Sequence, residues 1–374
     1  MVELIIDDNL GMIHLKWSDG SNSSYPFLWL WENDPAGFHE DTNERMTDLT
    51  AISQDITVTK AFTKDNVLTL IWGDNSLETN YNLEWLFNHQ PGKRASDPAK
   101  VKRNCWRGEF SREDIPNAKA KDLLEDDDAL ATWLEKTQIY GLSLVTSLDN
   151  RSDAGMDVAQ RIGFLRETNF GTSFQVQSKP NPNNLAYTAV ALPPHTDLPN
   201  QELPPGFQFL HCIANEADGG GSTFADGLAI SMDLRSNDTE AFDILSSVSI
   251  PFRFHDENTD IRSRKHVITL NIDGDINEIC FNAHIADFLD IEPKIMKSYY
   301  RAYCQFMKMT RSNDYLVSLK LDAGEMVVFD NRRILHGREA FNPETGYRHL
   351  HGCYVDRGEF ESKLRVLKRA PDNR

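Results

Sequence analysis

The sequence predicts a mainly β protein with helices: a double-stranded β-helix, or jelly-roll, core preceded by a small β-rich domain. Three observations carry that expectation. After Pro194, short apolar runs outnumber helical patterns and are separated by Gly-bearing turns. The first 90 or so residues alternate apolar with polar and are punctuated by Gly, Asp and Asn. Helical periodicity is confined to a few stretches, and there is no internal repeat or low-complexity tract.

In chain order, “MIHLKWSDG”, “YPFLWLWEN”, “AISQDITVTKAFTKD” and “VLTLIWGDNS” read as strands and turns of a domain over residues 1–92. Residues 93–118 turn polar, basic and proline-containing, and read as a linker. The main domain spans residues 119–374. It opens with a helix in “AKDLLEDDDALATWLEKTQ”, where Leu123, Leu124, Leu130 and Trp133 recur at helical spacing, followed by a strand in “GLSLVTSL”. A second helix is expected in “DAGMDVAQRIGFLRE”. A third runs from Glu292 to about Arg311, with Pro293 in its first turn and a stripe of Ile295, Tyr299, Ala302 and Phe306. Strands are expected in “GFQFLHCIAN”, “GSTFADG”, Val248 to Phe254, “VITLNIDG”, “YLVSLKLDAG”, “EMVVFDN” and “HLHGCYVD”. The end, “GEFESKLRVLKRA”, reads as an amphipathic helix with Phe360, Leu364 and Leu367 on one stripe.

The formal charge of -18, from 57 acidic and 39 basic residues, argues against nucleic acid or an anionic membrane surface as partner. The five cysteines are scattered and contain no C-x-x-C, which suits a reducing compartment and neither a disulfide framework nor a zinc finger. The start “MVELIIDDNL” lacks a basic segment followed by an apolar one, and no apolar run approaches roughly 18 residues. A cytoplasmic location is therefore expected.

The chemistry begins at “LPPHTDLPN”. In extended chain, residues two apart point to one side, so His195 and Asp197 present an imidazole and a carboxylate to a common point. H-x-D alone arises often by chance. Here, however, a second histidine, His336, ends the strand-like “EMVVFDNRRILHGRE” about 140 residues on. Two histidines and a carboxylate form a face that leaves positions open on a six-coordinate Fe(II), as oxygen chemistry needs. Arg348 follows twelve residues later in “YRHLHGCY”. In a strand it shares a side with Leu350, Gly352 and Tyr354, and a guanidinium clamps a carboxylate with two parallel bonds. The carboxylate that fits is the distal end of 2-oxoglutarate. Taken singly, His336 reads equally as a core histidine and Arg348 as a surface charge; it is their order that gives specificity. His211, His255, His266, His349 and His351 read as structural or surface residues, and Cys212 as a small core residue.

These segments, with “WSDGSNSSYPFLWLWEN”, “TSFQVQSKPNPNNLAYTAVALPPHTDLPNQELPPGFQFLHCIAN”, “GGGSTFADG” and “FDNRRILHGREAF”, resemble the γ-butyrobetaine dioxygenase family of Fe(II)/2-oxoglutarate oxygenases, within the taurine-dioxygenase-like group. The likeness covers nearly the whole chain. It implies His195, Asp197 and His336 as metal ligands, Arg348 as the 2-oxoglutarate anchor, O2 as co-reactant, a small trimethylammonium substrate and a homodimer. A quaternary ammonium donates no hydrogen bonds and is held by aromatic faces. By family position the substrate contacts are Phe170, Phe174, Tyr187 and Tyr354, with Asn184 as a polar contact.

The chain departs from the family in two places. Where the family's small domain holds zinc with three cysteines and a histidine, this chain offers Asp34, Ala36, His39 and Ser76, so no zinc is expected. Phe170 and Phe174 stand where relatives tend to carry tyrosine and tryptophan. With Asn282 and His284 at the expected anionic end, these departures favour 2-(trimethylammonio)ethylphosphonate as substrate. The alternatives are γ-butyrobetaine hydroxylation to carnitine, a sulfonate dioxygenase, and a non-catalytic betaine-binding sensor. Asp197 argues against halogenation, which needs that coordination position for halide.

Overall fold

The computed structural model describes residues 2–73, 77–177, 185 and 188–369. The chain divides into two compact units, Met1–Asp97 and Pro98–Arg374.

The first unit is built from two three-stranded antiparallel sheets, Glu3–Asp7, Met12–Lys16 and Asn22–Pro26, then Val58–Lys64, Val67–Trp72 and Leu77–Asn82. Ile13, Leu15, Tyr25, Leu68, Leu70, Trp72 and Tyr81 form its core. One expected strand is a helix: Phe27–Glu32 follows Pro26, whose ring fixes φ at a helix-compatible value, and buries Phe27 and Leu30 three residues apart. At the positions that the resemblance associates with zinc, the Asp34 carboxylate accepts from the Ala36 N–H and the Thr79 hydroxyl, and His39 Nδ1 accepts from the Asp41 and Thr42 amides. Ser76 lies outside the described residues.

The larger unit starts earlier than the sequence suggests. Trp106, Phe110 and Ile115 are buried in its core, and Asn117–Lys119 pairs in parallel with Leu142–Thr146. Three well-spaced apolar anchors within a polar, basic stretch do not register in average composition. Most of the expected linker is therefore folded structure.

Two open sheets dominate this unit. One has the order Asn117–Lys119, Leu142–Thr146, Met326–Asp330, Phe207–Asn215, Arg348–Val355, Ser173–Val176; the other Leu192–His195, Ile334–Arg338, Ser222–Asp226, Leu316–Leu319. The larger sheet is covered on both sides, as strand alternation requires. Phe207, Phe209, Met326, Val328 and Val355 point to a helical layer carrying Leu123, Leu130, Trp133, Val158 and Phe360. Leu210, Cys212, Val327, Phe329 and Leu350 point the other way, onto Phe224, Val317 and Leu319 of the smaller sheet. The unit is thus a mixed structure of helices and strands with two sheets facing across a shared core.

The helix expected over “AKDLLEDDDALATWLEKTQ” is two, Ala120–Glu125 and Asp127–Tyr140, because the Asp126 carboxylate accepts from the Asp128 and Ala129 amides and starts a new one. Gly227–Asn237 and Thr239–Ser247 are helices the sequence reading did not anticipate, each capped by an aspartate, Asp226 and Asp238. Together with Pro293–Thr310 they bury a second core around Phe242, Tyr299 and Phe306. Among the described residues no helix is long and apolar enough to cross a membrane.

Candidate active site

Strand pairing assembles the site. Leu192–His195 runs antiparallel to Ile334–Arg338 with His195 directly opposite His336. Side chains in that relation touch across strands, and the two imidazole centroids are 4.5 Å apart. Asp197 lies just beyond the strand end, where Leu198 adopts a positive φ of 55° that turns the chain back. Its Oδ1 is 3.3 Å from His195 Nε2 and its Oδ2 3.6 Å from His336 Nε2. The ligand atoms of the three residues lie within 4.8 Å of one another, and no other such group of three occurs among the described residues.

The protonation states suit a metal. His195 Nδ1 is 3.0 Å from the Pro193 carbonyl, a contact that places the proton there and leaves the Nε2 lone pair exposed. Burial pushes His336 down to about 3, despite the Asp197 charge, so its imidazole is neutral at physiological pH. Burial raises the Asp197 carboxyl, but its polar neighbours, with the Tyr354 hydroxyl donating to Oδ2, more than offset this and hold it ionised. Two imidazole nitrogens and one carboxylate oxygen are a donor set suited to Fe(II) with open positions.

The turn carrying Asp197 is pinned from three sides. Thr196 N–H donates to the Phe281 carbonyl at 2.7 Å, and the Phe281 amide returns a 3.0 Å bond to the Thr196 hydroxyl. Asn331, fully buried, accepts from the Asp197 N–H at 2.6 Å and donates to the Asp197 and Pro205 carbonyls, each at 3.1 Å. Tyr354 Oη donates to Asp197 Oδ2 at 2.7 Å. Sequence reading missed Asn331; its only trace there is an Asn directly after the strand in “FDNRR”.

The triad opens into a cavity of about 380 Å³ that Phe170, Phe174, Asn282, His284, Arg348 and Tyr354 also line. Asn184 and Tyr187 lie outside the described residues. Arg348 is buried, donates through Nε to the Gly220 carbonyl at 3.2 Å, and sits 5.6 Å from the Phe341 ring centroid. Burial, with Arg338 nearby, lowers it to about 10, still cationic at neutral pH. Its Nη1 is buried with no hydrogen-bond partner among the described residues. A carboxylate satisfies such a donor, so this side chain fits 2-oxoglutarate.

The aromatic wall is larger than the sequence reading indicated. Phe170 meets Phe254 edge to face at 5.4 Å, and Phe174 packs against Tyr354 at 5.1 Å. Phe254 comes from the hairpin Ile250–His255/Asp260–Lys265 and lines the same cavity. Gly352 makes room for Phe174, whose ring a Cβ there would approach to 2.5 Å. Asn282 is partly committed elsewhere: its amide donates to the Thr196 carbonyl and accepts from the His284 N–H. His284 is held neutral by burial and by His195, 5.9 Å away between ring centroids. That pair is a weaker receptor for a doubly charged anion than the residue types suggested.

Comparison with known proteins agrees with the geometry. The profile of the family described as “Taurine catabolism dioxygenase TauD, TfdA family” matches residues 103–354. A gamma-butyrobetaine dioxygenase of Pseudomonas sp. (strain AK-1) is 37% identical over 366 residues, which cover 96% of this chain and 94% of that protein. The Homo sapiens gamma-butyrobetaine dioxygenase is 29% identical over 379 residues, with 98% and 97% covered. The mitochondrial trimethyllysine dioxygenase of Gallus gallus is 27% identical over 367 residues, with 95% and 86% covered.

Proposed function

The chain belongs to the taurine catabolism dioxygenase TauD/TfdA family, and from that premise we propose that it hydroxylates γ-butyrobetaine, a small trimethylammonium zwitterion, at a methylene carbon. It is an Fe(II)/2-oxoglutarate-dependent dioxygenase. The two facing sheets support a double-stranded β-helix as the core that carries the site.

The observation that carries the substrate reading is the aromatic wall of Phe170, Phe174, Phe254 and Tyr354 on the cavity that also holds the triad and Arg348. Aromatic faces attract a cation that has no hydrogens to donate, by roughly 2 kcal/mol or more once both are dry. Bound Fe(II) with O2 supplies the oxidising power, converting 2-oxoglutarate to succinate and CO2 as one oxygen atom enters the substrate. The protein's own contribution is position. His195, Asp197 and His336 hold the metal, Arg348 clamps the distal carboxylate of 2-oxoglutarate, and the aromatic wall fixes the cationic end so that one methylene faces the metal.

The carboxylate substrate is preferred to the phosphonate. The relatives of similar length are named as gamma-butyrobetaine dioxygenases, and Asn282 and His284 offer limited hydrogen bonding to an extra charge. The test is succinate formation from 2-oxoglutarate by Fe(II)-loaded protein. γ-Butyrobetaine and 2-(trimethylammonio)ethylphosphonate are compared, and each product is weighed for one added oxygen. Coupled turnover of γ-butyrobetaine is expected; turnover of the phosphonate alone, or of neither, overturns the reading.

A further inference from the structure

Tyr354 takes part in two sites at once. Its ring lines the cavity and packs against Phe174 with centroids 5.1 Å apart, while its hydroxyl, on the far end of the same side chain, donates to Asp197 Oδ2 at 2.7 Å. Phe170 and Phe174 line the same cavity, but neither has a polar group with which to reach the carboxylate. The strand Arg348–Val355 fixes this arrangement: it is paired on both edges, with Tyr354 opposite Gln208 on one and Gly352 opposite Phe174 on the other.

We infer that Tyr354 is a positioning residue for the metal ligand Asp197, and that through it the metal and the trimethylammonium substrate strengthen each other's binding. The substrate half of this inference rests on the function proposed above. The physical route is short. A phenol O–H bonded to a carboxylate is a strong, charge-assisted hydrogen bond. It occupies one lone pair of Oδ2, which leaves Oδ1, 3.3 Å from His195 Nε2, as the better metal donor. A cation resting on the ring draws electron density from it, makes the hydroxyl a better donor and steadies the ionised carboxylate that the metal needs. Binding free energies couple reciprocally, so a metal that orders Asp197 returns the same factor to the substrate.

The test uses Mn(II) as a redox-silent probe on the full chain, with its dissociation constant measured from the loss of the free-ion magnetic resonance signal. Titrations are run with 2-oxoglutarate present, with and without γ-butyrobetaine, on three proteins: the native sequence, Tyr354→Phe and Phe174→Leu. Tyr354→Phe keeps the ring and removes only the hydroxyl. It is expected to weaken Mn(II) about 10-fold or more, the usual effect of deleting a hydrogen bond to a ligand, and to bring the ratio of the two Mn(II) constants close to one. Phe174→Leu removes a neighbouring ring without touching Asp197. It is expected to weaken γ-butyrobetaine, and to weaken substrate-free Mn(II) by less than Tyr354→Phe does, because the hydrogen bond to Asp197 remains. Equal Mn(II) constants for native protein and Tyr354→Phe overturn the inference. Calorimetry of γ-butyrobetaine on the native protein separates the two readings: no binding there sinks the substrate assignment, while the substrate-free Mn(II) comparison still decides the role of the hydroxyl.

Discussion

Asn331 holds the backbone of the turn that carries Asp197. It is fully buried, and its amide serves three backbone groups: the Asp197 N–H, the Asp197 carbonyl and the Pro205 carbonyl. Asn331→Ala removes all three partners. A buried polar group left without one costs about 1–3 kcal/mol. At the lower end of that range, since water entering the vacated volume restores part of the bonding, the loss is roughly 3 kcal/mol. With a urea slope of about 3 kcal/mol per M, the denaturation midpoint falls by roughly 1 M. Asn331→Asp sharpens the test. It keeps the acceptor for the Asp197 N–H but turns an acceptor oxygen toward two carbonyls, so it should destabilise at least as much as alanine. Both variants free the Asp197 turn, so saturating Mn(II) should also stabilise them less. If their affinity is tenfold weaker, the shortfall is about 1.4 kcal/mol at one fixed Mn(II) concentration. An Asn331→Asp protein with the native midpoint and the native response to Mn(II) would refute the reasoning.

Two further outcomes follow from buried groups elsewhere. Arg348→Lys trades a planar fork lying over Phe341 for a point charge, and loses the buried Nη1 donor. With about 1.5–3 kcal/mol at stake, the KM for 2-oxoglutarate should rise about 10- to 100-fold and that for γ-butyrobetaine by far less; steady-state kinetics in which both move together would count against the anchor role. His211 sits 1% exposed on the helix-covered side of the larger sheet, and neither ring nitrogen has a hydrogen-bond partner among the described residues. Burial and the neighbouring His351 push it down to about 4 from an ordinary 6.5. The unfolded chain therefore binds the extra proton between those values, so the stability that neutral His211 permits is complete above about pH 6.5 and lost as pH falls toward 4, by roughly 3 kcal/mol at most. His211→Leu should flatten that acid limb in urea titrations at pH 7 and pH 4.5 while costing little at pH 7; an unchanged slope would show that other groups set it.

The parts of the site legible in the sequence are those where chemistry restricts residue type. Only a few side chains ligate iron, so H-x-D, a distant His and an Arg stand out, and the fold brings all four to one cavity. The residues that hold them are not legible, because their partners are remote in the chain. The Asn331–Asp197 bonds span 134 residues and the Tyr354–Asp197 bond 157, and nothing local marks either. Phe254 escapes notice for the same reason: its place in the wall depends on how a hairpin 80 or so residues from Phe170 folds over the cavity. Asn282, which the family resemblance places at the anionic end of the substrate, lines the cavity, and its amide is also engaged by the Thr196 carbonyl and the His284 N–H, bonds that no spacing rule discloses. In the fold, the periodic strands of the core are readable because each alternates between two apolar layers. The stretch around Trp106 and Phe110 is not, since two aromatic anchors in a basic, polar segment leave its composition that of a connector.

The charge distribution fits the cosubstrate in a way the overall composition obscures. A chain of net charge -18 repels a dianion such as 2-oxoglutarate at long range. That repulsion is screened over about 8–10 Å at physiological ionic strength, so capture depends on what the cavity itself presents. There the balance is reversed. Arg348 and Arg338 both line it and both are buried, with Arg338 also donating to the Thr188 and Val190 carbonyls; Asp197 is the ionised carboxylate at the triad, and His336 is neutral. Arg348, whose Nη1 has no hydrogen-bond partner among the described residues, is a buried cation there, and a bound divalent metal would add two more positive charges. Buried charge without a partner is costly. A dianion that places one carboxylate at the metal and the other at Arg348 lowers that cost at both ends, whereas a monoanion serves only one.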